Sequence, residues 1–285
     1  MHKPVIAVTV GDPAGIGPEI AEKAVSNQTI LRICKPIIIG SSYGFTAGKN
    51  TRKSDKAAIL FLNKAVELLR KNVADAVVTA PVSKSAFGKI GGHTEFFANK
   101  FNLQKVEMLM MADELKVLLL TRHIPLKDVS KEIKIDKIVG SVEFASSYLR
   151  KRFNKKKLEI FICGLNPHCG DKGLVGKEEQ KIIIPAIINL RKNGLNVFGP
   201  MNPEDVFNKH RDGLIVSIYH DQAMIPLKIL KPNKIVNLTI GLPFVRTSPG
   251  HGTGYDIAGK GKANPESMIE ALKLACYLTK KEKLI

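Results

Sequence analysis

The chain has 285 residues, 44% of them hydrophobic and 25% charged, enough to bury a substantial core in one large or two smaller domains. No run reaches the roughly 20 apolar residues of a membrane span, and Met1-His2-Lys3-Pro4 leads into a stretch interrupted too early by Gly11-Asp12-Pro13 for a secretion signal, so a cytoplasmic protein is expected. The net charge of +18 is spread along the chain, with modest runs at 151–157 and 280–281; without a zinc-finger or basic-zipper pattern, without tryptophan and with five tyrosines, it reads as a solvated basic face that attracts anionic small molecules rather than nucleic acid.

In chain order, Val5 to Val10 reads as a strand, followed by Gly11-Asp12-Pro13-Ala14-Gly15-Ile16-Gly17-Pro18-Glu19 and a helical pattern through Ile20 and Ala24. The glycines permit a tight turn, with Asp12 or Glu19 as a cap or a polar site residue, but the phosphate-loop ending Gly-Lys-Ser/Thr and the full Gly-x-Gly-x-x-Gly are both missing. Further strands are expected at 36–40, 74–81, 115–121, 158–163, 195–198, 214–218 and 235–240, and helices at 57–69 and 178–190, with a terminal helix from Asn264-Pro265-Glu266 onward. Strands separated by helices predict a mostly parallel, layered α/β core. The four cysteines contain no Cys-x-x-Cys pair and read as free thiols.

The polar residues that follow these strands carry the chemistry. Gly91-Gly92-His93-Thr94 places His93 and Thr94 in an exposed turn, with Thr94 able to begin or cap a helix whose N-terminal amides attract anions. Lys84 is a weaker anion candidate. Arg246 offers a planar guanidinium suited to carboxylate or phosphate, and the glycines around His251 suggest a loop that covers a cofactor. His123, His168 and His220 each stand just beyond an apolar strand, and this recurrence predicts their convergence on a catalytic divalent metal. The centre of the pattern is Tyr219-His220-Asp221-Gln222-Ala223-Met224-Ile225-Pro226-Leu227-Lys228. There Pro226 biases Ile225 away from helix, so His220 and Asp221 are expected at a strand's C-terminal edge or in the following turn, where α/β sheets usually bind ligands.

Together with Ala80-Pro81-Val82-Ser83-Lys84, Gly92-His93-Thr94-Glu95-Phe96, His123-Ile124-Pro125-Leu126, Gly164-Leu165-Asn166-Pro167-His168, Leu242-Pro243-Phe244-Val245-Arg246-Thr247-Ser248 and His251-Gly252-Thr253, these stretches resemble the 4-hydroxythreonine-4-phosphate dehydrogenase family of vitamin B6 (pyridoxine and pyridoxal phosphate) biosynthesis over nearly the whole chain. The resemblance implies a two-domain layered α/β/α architecture like that of isocitrate and isopropylmalate dehydrogenases. Its discontinuous domain would comprise residues 1–85 and 215–285, the second residues 86–214, with the active site in the interdomain cleft. It further implies a homodimer with active sites at the subunit interface and a divalent metal (zinc, cobalt or magnesium) on His123, His168 and His220, one histidine coming from across the dimer. Substrate contacts are implied at His93, Thr94, Lys228, Asn237 and Arg246, NAD contacts at Gly252 and Thr253, and catalytic roles for Lys228 and Asp221 in proton transfer or orientation. The implied reaction oxidises 4-phosphohydroxy-L-threonine at C3 with NAD. The resulting ketone, beta to the carboxylate, accepts the electrons as carbon dioxide leaves to give 3-amino-2-oxopropyl phosphate.

The sequence departs from the family pattern in places. Gly250 stands where many members have aspartate, Ala223 replaces a common glycine, the stretch 200–205 differs, and the chain is shortened between Gly44 and Ala57. Related D-threonate or D-erythronate 4-phosphate dehydrogenases are the alternative reading, and a noncatalytic nucleic-acid-binding protein is the alternative from a different class.

Overall fold

The structure is a computed structural model that describes residues 3–155 and 157–282; Met1, His2 and Lys156 of the stretches above lie outside it. In chain order the elements are β1 (Val5–Thr9), α1 (Gly17–Val25), α2 (Gln28–Ile33), β2 (Lys35–Ile39), α3 (Arg52–Arg70), β3 (Ala76–Thr79), α4 (Lys84–Phe87) and α5 (His93–Lys100). They continue with β4 (Glu107–Ala112), β5 (Leu115–Leu119), α6 (Val129–Glu132), α7 (Ile135–Phe153), β6 (Glu159–Cys163), α8 (Ile184–Lys192), β7 (Asn196–Met201), α9 (Pro203–Lys209), β8 (Leu214–Ser217) and α10 (His220–Leu230). The last are β9 (Val236–Ile240), β10 (Val245–Pro249) and α11 (Glu266–Glu282).

Contacts divide the chain into two compact units, Met1–Val106 with Asn233–Ile285, and Glu107–Pro232. The division falls later than residues 85 and 214 at both crossings, for packing reasons. Phe87, Phe96 and Phe97 of α4 and α5 enter the same apolar cluster as Leu62, Val66, Val77 and Phe244, which holds the segment after residue 85 in the first unit. Strand β8 pairs with β5 and β6, and α10 packs on β5 and β8, which holds residues 214–232 in the second.

The first unit has strand order β2-β1-β3-β10-β9. All pairs are parallel except β10 with β9, which are antiparallel. Strand β3 is buried at every position, as a parallel strand covered on both faces must be. Helix α3 begins at Thr51, whose hydroxyl accepts from the Ser54 amide while Ser54 Oγ accepts from the Thr51 amide. Its Ala58, Leu62, Ala65, Val66 and Leu69 recur at helical spacing and are buried; each large one stabilises the unit by about 1.5–3 kcal/mol.

The second unit has order β4-β5-β8-β6-β7, with an antiparallel β4–β5 hairpin and parallel pairing elsewhere. Pro226 lies inside α10 rather than ending the chain's helical run before it. The proline removes one N–H from the ladder and crowds the Gln222 carbonyl, but buried Ala223, Met224 and Leu227 keep the helix packed, so His220 opens a helix instead of occupying a turn. The helix expected from residue 178 starts as a π turn, Glu179–Ile183, before α8. Pro185 in the first turn of α8 cannot donate to the i−4 carbonyl, which favours the wider local spacing.

Candidate active site

In the first unit, Arg246 on β10 is 1% exposed and is among the largest fully buried side chains. The β10–β9 register sets it opposite Thr239, and Nη1 donates to Thr239 Oγ1 at 2.9 Å while Nη2 donates to Thr79 Oγ1 on β3 at 2.6 Å. Both hydrogen bonds end on neutral hydroxyls, and the buried Nε donor has no partner. Burial pushes the guanidinium down to about 9, against the pull of Glu95. A buried cation held this way strongly favours an arriving oxyanion, because the oxyanion supplies the missing acceptor and adds countercharge to that of Glu95.

The residues around Arg246 share this incompleteness. His93 opens α5 behind Gly92, its ring edge-on to Phe87 at 4.9 Å, and its buried Nε2 has no hydrogen-bond partner. Burial, then repulsion from Arg246, holds the imidazole well below the ordinary histidine range, so it is neutral at pH 7. Asn237 on β9 also has a buried Oδ1 without a partner. Thr94 is the second residue of α5, and Gly92 occupies the cap position instead; the Thr94 hydroxyl lies 3.4 Å from that of Thr239. Four sequence-predicted substrate residues thus occupy one unit. Thr79 and Thr239, which hold the guanidinium, were not singled out in the sequence because a strand threonine is an ordinary β residue. Lys84 is exposed.

The glycine-rich turn is knit to the loop after β10. Ile16 N donates to Thr253 O at 2.9 Å, Tyr255 Oη donates to Asp12 Oδ2, and Asp12 also accepts from Ala14 N and Asn50 Nδ2, each at 2.9 Å. Gly11 has φ +69°, and a Cβ there would lie 2.2 Å from the Pro81 carbonyl oxygen, so the turn needs glycine. Burial, then Asp12, raises the Tyr255 phenol to about 12, which keeps its proton on. Asp12 is therefore a buried structural tie. Gly252 faces open space, and Thr253 uses its carbonyl to anchor Ile16.

In the second unit, the C-terminal ends of β5, β8 and β6 are joined by hydrogen bonds. Leu120 N donates to Ser217 O at 3.0 Å and Thr121 Oγ1 to Ile218 O at 2.7 Å. Buried Gln222 accepts from Ile218 N at 2.7 Å and donates to Gly164 O at 2.7 Å, tying β8 to β6. The sequence shows Gln222 within a motif but gives no sign of this bridging role. The joining brings the His123 and His220 rings to a centroid separation of 5.4 Å. Asp221 Oδ1 lies 2.6 Å from His220 Nδ1, which leaves Nε2 as the remaining ligating nitrogen. Paired imidazoles with one nitrogen oriented by a carboxylate fit a borderline divalent metal such as zinc or cobalt better than magnesium.

Of the three histidines expected to converge, the structure brings the rings of His123 and His220 together. His168 lies in the left-handed Pro167–Gly173 turn after β6. Among the described residues no group of three or more His, Cys, Asp and Glu side chains is arranged to hold a metal. Asp221 and Lys228 are exposed on α10, two helical turns apart. All four cysteines are free.

Fold and site together define an α/β protein with a buried arginine, its Nε unpartnered, in one unit and a histidine pair at the strand ends of the other. The profile of the pyridoxal phosphate biosynthetic protein PdxA matches residues 11–275, and the chain belongs to that family. A 4-hydroxythreonine-4-phosphate dehydrogenase from Sulfurihydrogenibium sp. (strain YO3AOP1) is 38% identical over 98% of this chain and 99% of its own. A D-threonate 4-phosphate dehydrogenase from Cupriavidus necator is 33% identical over 97% and 98%. The crystal structure of 4-hydroxythreonine-4-phosphate dehydrogenase from Klebsiella pneumoniae superposes with a TM-score of 0.80 at 32% identity, covering 97% of this chain and 98% of that one. The fold alone is shared with a beta-decarboxylating dehydrogenase from Thermococcus kodakarensis, at a TM-score of 0.50 and 16% identity over 98% and 84%.

Proposed function

We propose that the protein is a cytoplasmic homodimeric dehydrogenase that oxidises 4-phosphohydroxy-L-threonine at C3 with NAD and releases carbon dioxide, forming 3-amino-2-oxopropyl phosphate for pyridoxal phosphate synthesis. The observation that carries this reading is buried Arg246 with its unpartnered Nε, beside the unpartnered His93 Nε2 and Asn237 Oδ1. Family membership and the dehydrogenase relatives support the reaction class. Among the described residues no helix is long and apolar enough to cross a membrane.

When bound, a divalent metal supplies a Lewis acid and NAD a hydride acceptor. His123, His168 and His220 would hold the metal, one of them donated across the dimer, and the Gly252–Thr253 loop would face the cofactor. Arg246, His93, Thr94, Asn237 and Lys228 bind the substrate's anionic and hydroxyl groups. Asp221 orients His220 through the 2.6 Å contact, and Lys228 is assigned to proton transfer or substrate orientation.

D-threonate 4-phosphate and D-erythronate 4-phosphate are the competing substrates, favoured by the relatives named for the first of them. The test is NADH formation by the purified protein with added zinc, cobalt or magnesium on all three compounds. Preference for the amino acid supports the vitamin B6 reading. Preference for a sugar acid reassigns the substrate while keeping the mechanism; no turnover on any, in folded metal-loaded protein, defeats the activity claim.

A further inference from the structure

We infer that Glu179 is a positioning residue that presents His168 to the metal; the inference rests on the metal-site reading above. Glu179 is 1% exposed in the π turn before α8. Its side-chain hydrogen bonds go to the two residues that precede Pro167-His168. Oε1 accepts from Leu165 N at 2.8 Å and Asn166 N at 2.7 Å, and Oε2 accepts from Asn166 Nδ2 at 2.9 Å. Glu178 Oε2 takes the same Asn166 amide at 2.8 Å. A buried carboxylate satisfied entirely by amide donors of one loop has that loop's geometry as its purpose.

The loop needs such a clamp. His168, Cys169, Asp171 and Lys172 have φ of 52°, 53°, 39° and 54°, a left-handed run that L side chains rarely adopt and that persists only where surrounding contacts impose it. Pro167 lies between the clamped Asn166 and His168, and its ring fixes φ at the one intervening residue. Cys169 N returns to Asn166 O at 3.1 Å, and a Cβ on Gly170 would lie 2.7 Å from Glu179 Oε2, so the turn is wrapped closely around the carboxylate. Holding Asn166 on both its backbone and its side chain therefore sets the direction in which the His168 imidazole leaves the turn. Asp221 and Gln222 do the corresponding work for His220.

The experiment is cobalt(II) binding to the full-length protein by equilibrium dialysis, with the visible absorption spectrum of the bound ion as a second readout. It compares the unmodified protein with Glu179→Gln, Glu179→Ala and His168→Ala. Glutamine keeps one oxygen for the two backbone amides but turns an N–H2 group toward Asn166 Nδ2, so it preserves the turn's main tether while disturbing its side-chain tether. The expected result is a loss of cobalt affinity of roughly 10-fold for Gln and approaching 100-fold for Ala, with an altered spectrum and an unchanged affinity for inorganic phosphate. Should Glu179→Ala fail to fold, the glutamine variant decides. Normal cobalt affinity and spectrum in Glu179→Gln, while His168→Ala loses the metal, overturns the inference alone. Failure of the unmodified protein to bind cobalt, or normal binding by His168→Ala, defeats the metal assignment and the inference with it.

Discussion

The two units present their candidate site residues in opposite ways. The first buries Arg246 inside its sheet, 1% exposed, and leaves donors and acceptors around it unsatisfied. The second sets His220 and Asp221 at the exposed ends of its strands, 38% and 70% exposed, and uses two of its buried polar groups, Gln222 and Glu179, to fix the loops that carry the candidate histidines. A buried unpaired cation gains a great deal from a single oxyanion and costs stability without one. An exposed imidazole costs little, so its value lies in where it points.

The largest effect that would sharpen this contrast is at Arg246. Arg246→Met should lower kcat/KM by about 2–5 kcal/mol of transition-state binding, roughly 30- to several-thousand-fold, because the substrate oxyanion loses its buried partner. The same change should alter unfolding free energy far less, since removing a buried guanidinium from the sheet offsets the two hydrogen bonds lost at Thr79 and Thr239. Kinetics and urea titration on one variant read the two effects. A large loss of stability would mean that the guanidinium is mainly a structural link between Thr79 and Thr239. His220→Ala makes the complementary case: cobalt affinity should fall by more than the roughly 10–100-fold of an outer hydrogen-bond loss, with urea stability altered by under about 0.5 kcal/mol, as for an exposed residue. Retained metal affinity would break the comparison from the second unit's side.

How much of this was legible in the sequence follows the same division. The apolar strands were legible because burial on both faces leaves continuous hydrophobic runs, as in Val77-Val78 and Ile160-Phe161-Ile162. Strand β10 was read only as a motif, because Arg246, Thr247 and Ser248 are polar residues that the fold nevertheless buries. Helix α7 was not assigned; its buried stripe mixes Ile138, Val142 and Leu149 with Ser141 and Ser146, which weakens the apolar period. Helices α2 and α9, of 6 and 7 residues, are too short to show a helical period. Gly250, noted as a departure from the family's aspartate, has a local reason: a Cβ there would lie 2.4 Å from Ile235 Cγ2. The site residues were legible as types at strand ends and through the family resemblance. The supporting roles of Thr79, Thr239, Gln222 and Glu179 were not, because a side chain's hydrogen-bond partner is set by strand register and loop packing, which leave no local pattern.

The smallest predicted effect tests the buried site from within, through pH. His93 is held well below 6.5 by burial first and by Arg246 second. In the pH range between that lowered value and about 6.5, the unfolded chain carries a proton on this side chain that the folded chain does not. Stability therefore rises with pH through that window, is fully present above it, and is lost on acidification, with a slope of at most about 1.4 kcal/mol per pH unit. Urea unfolding of the unmodified protein and His93→Gln between pH 7.5 and 5 should show the gap between them narrowing or reversing as pH falls, since the glutamine variant lacks this proton. Arg246→Met should raise the lower edge of that window by removing the second cause, so the loss of stability on acidification ends at a higher pH. A lower edge unmoved by the change would show that His93 does not sense charge at Arg246, and the anion-site reading of the first unit would lose its electrostatic basis.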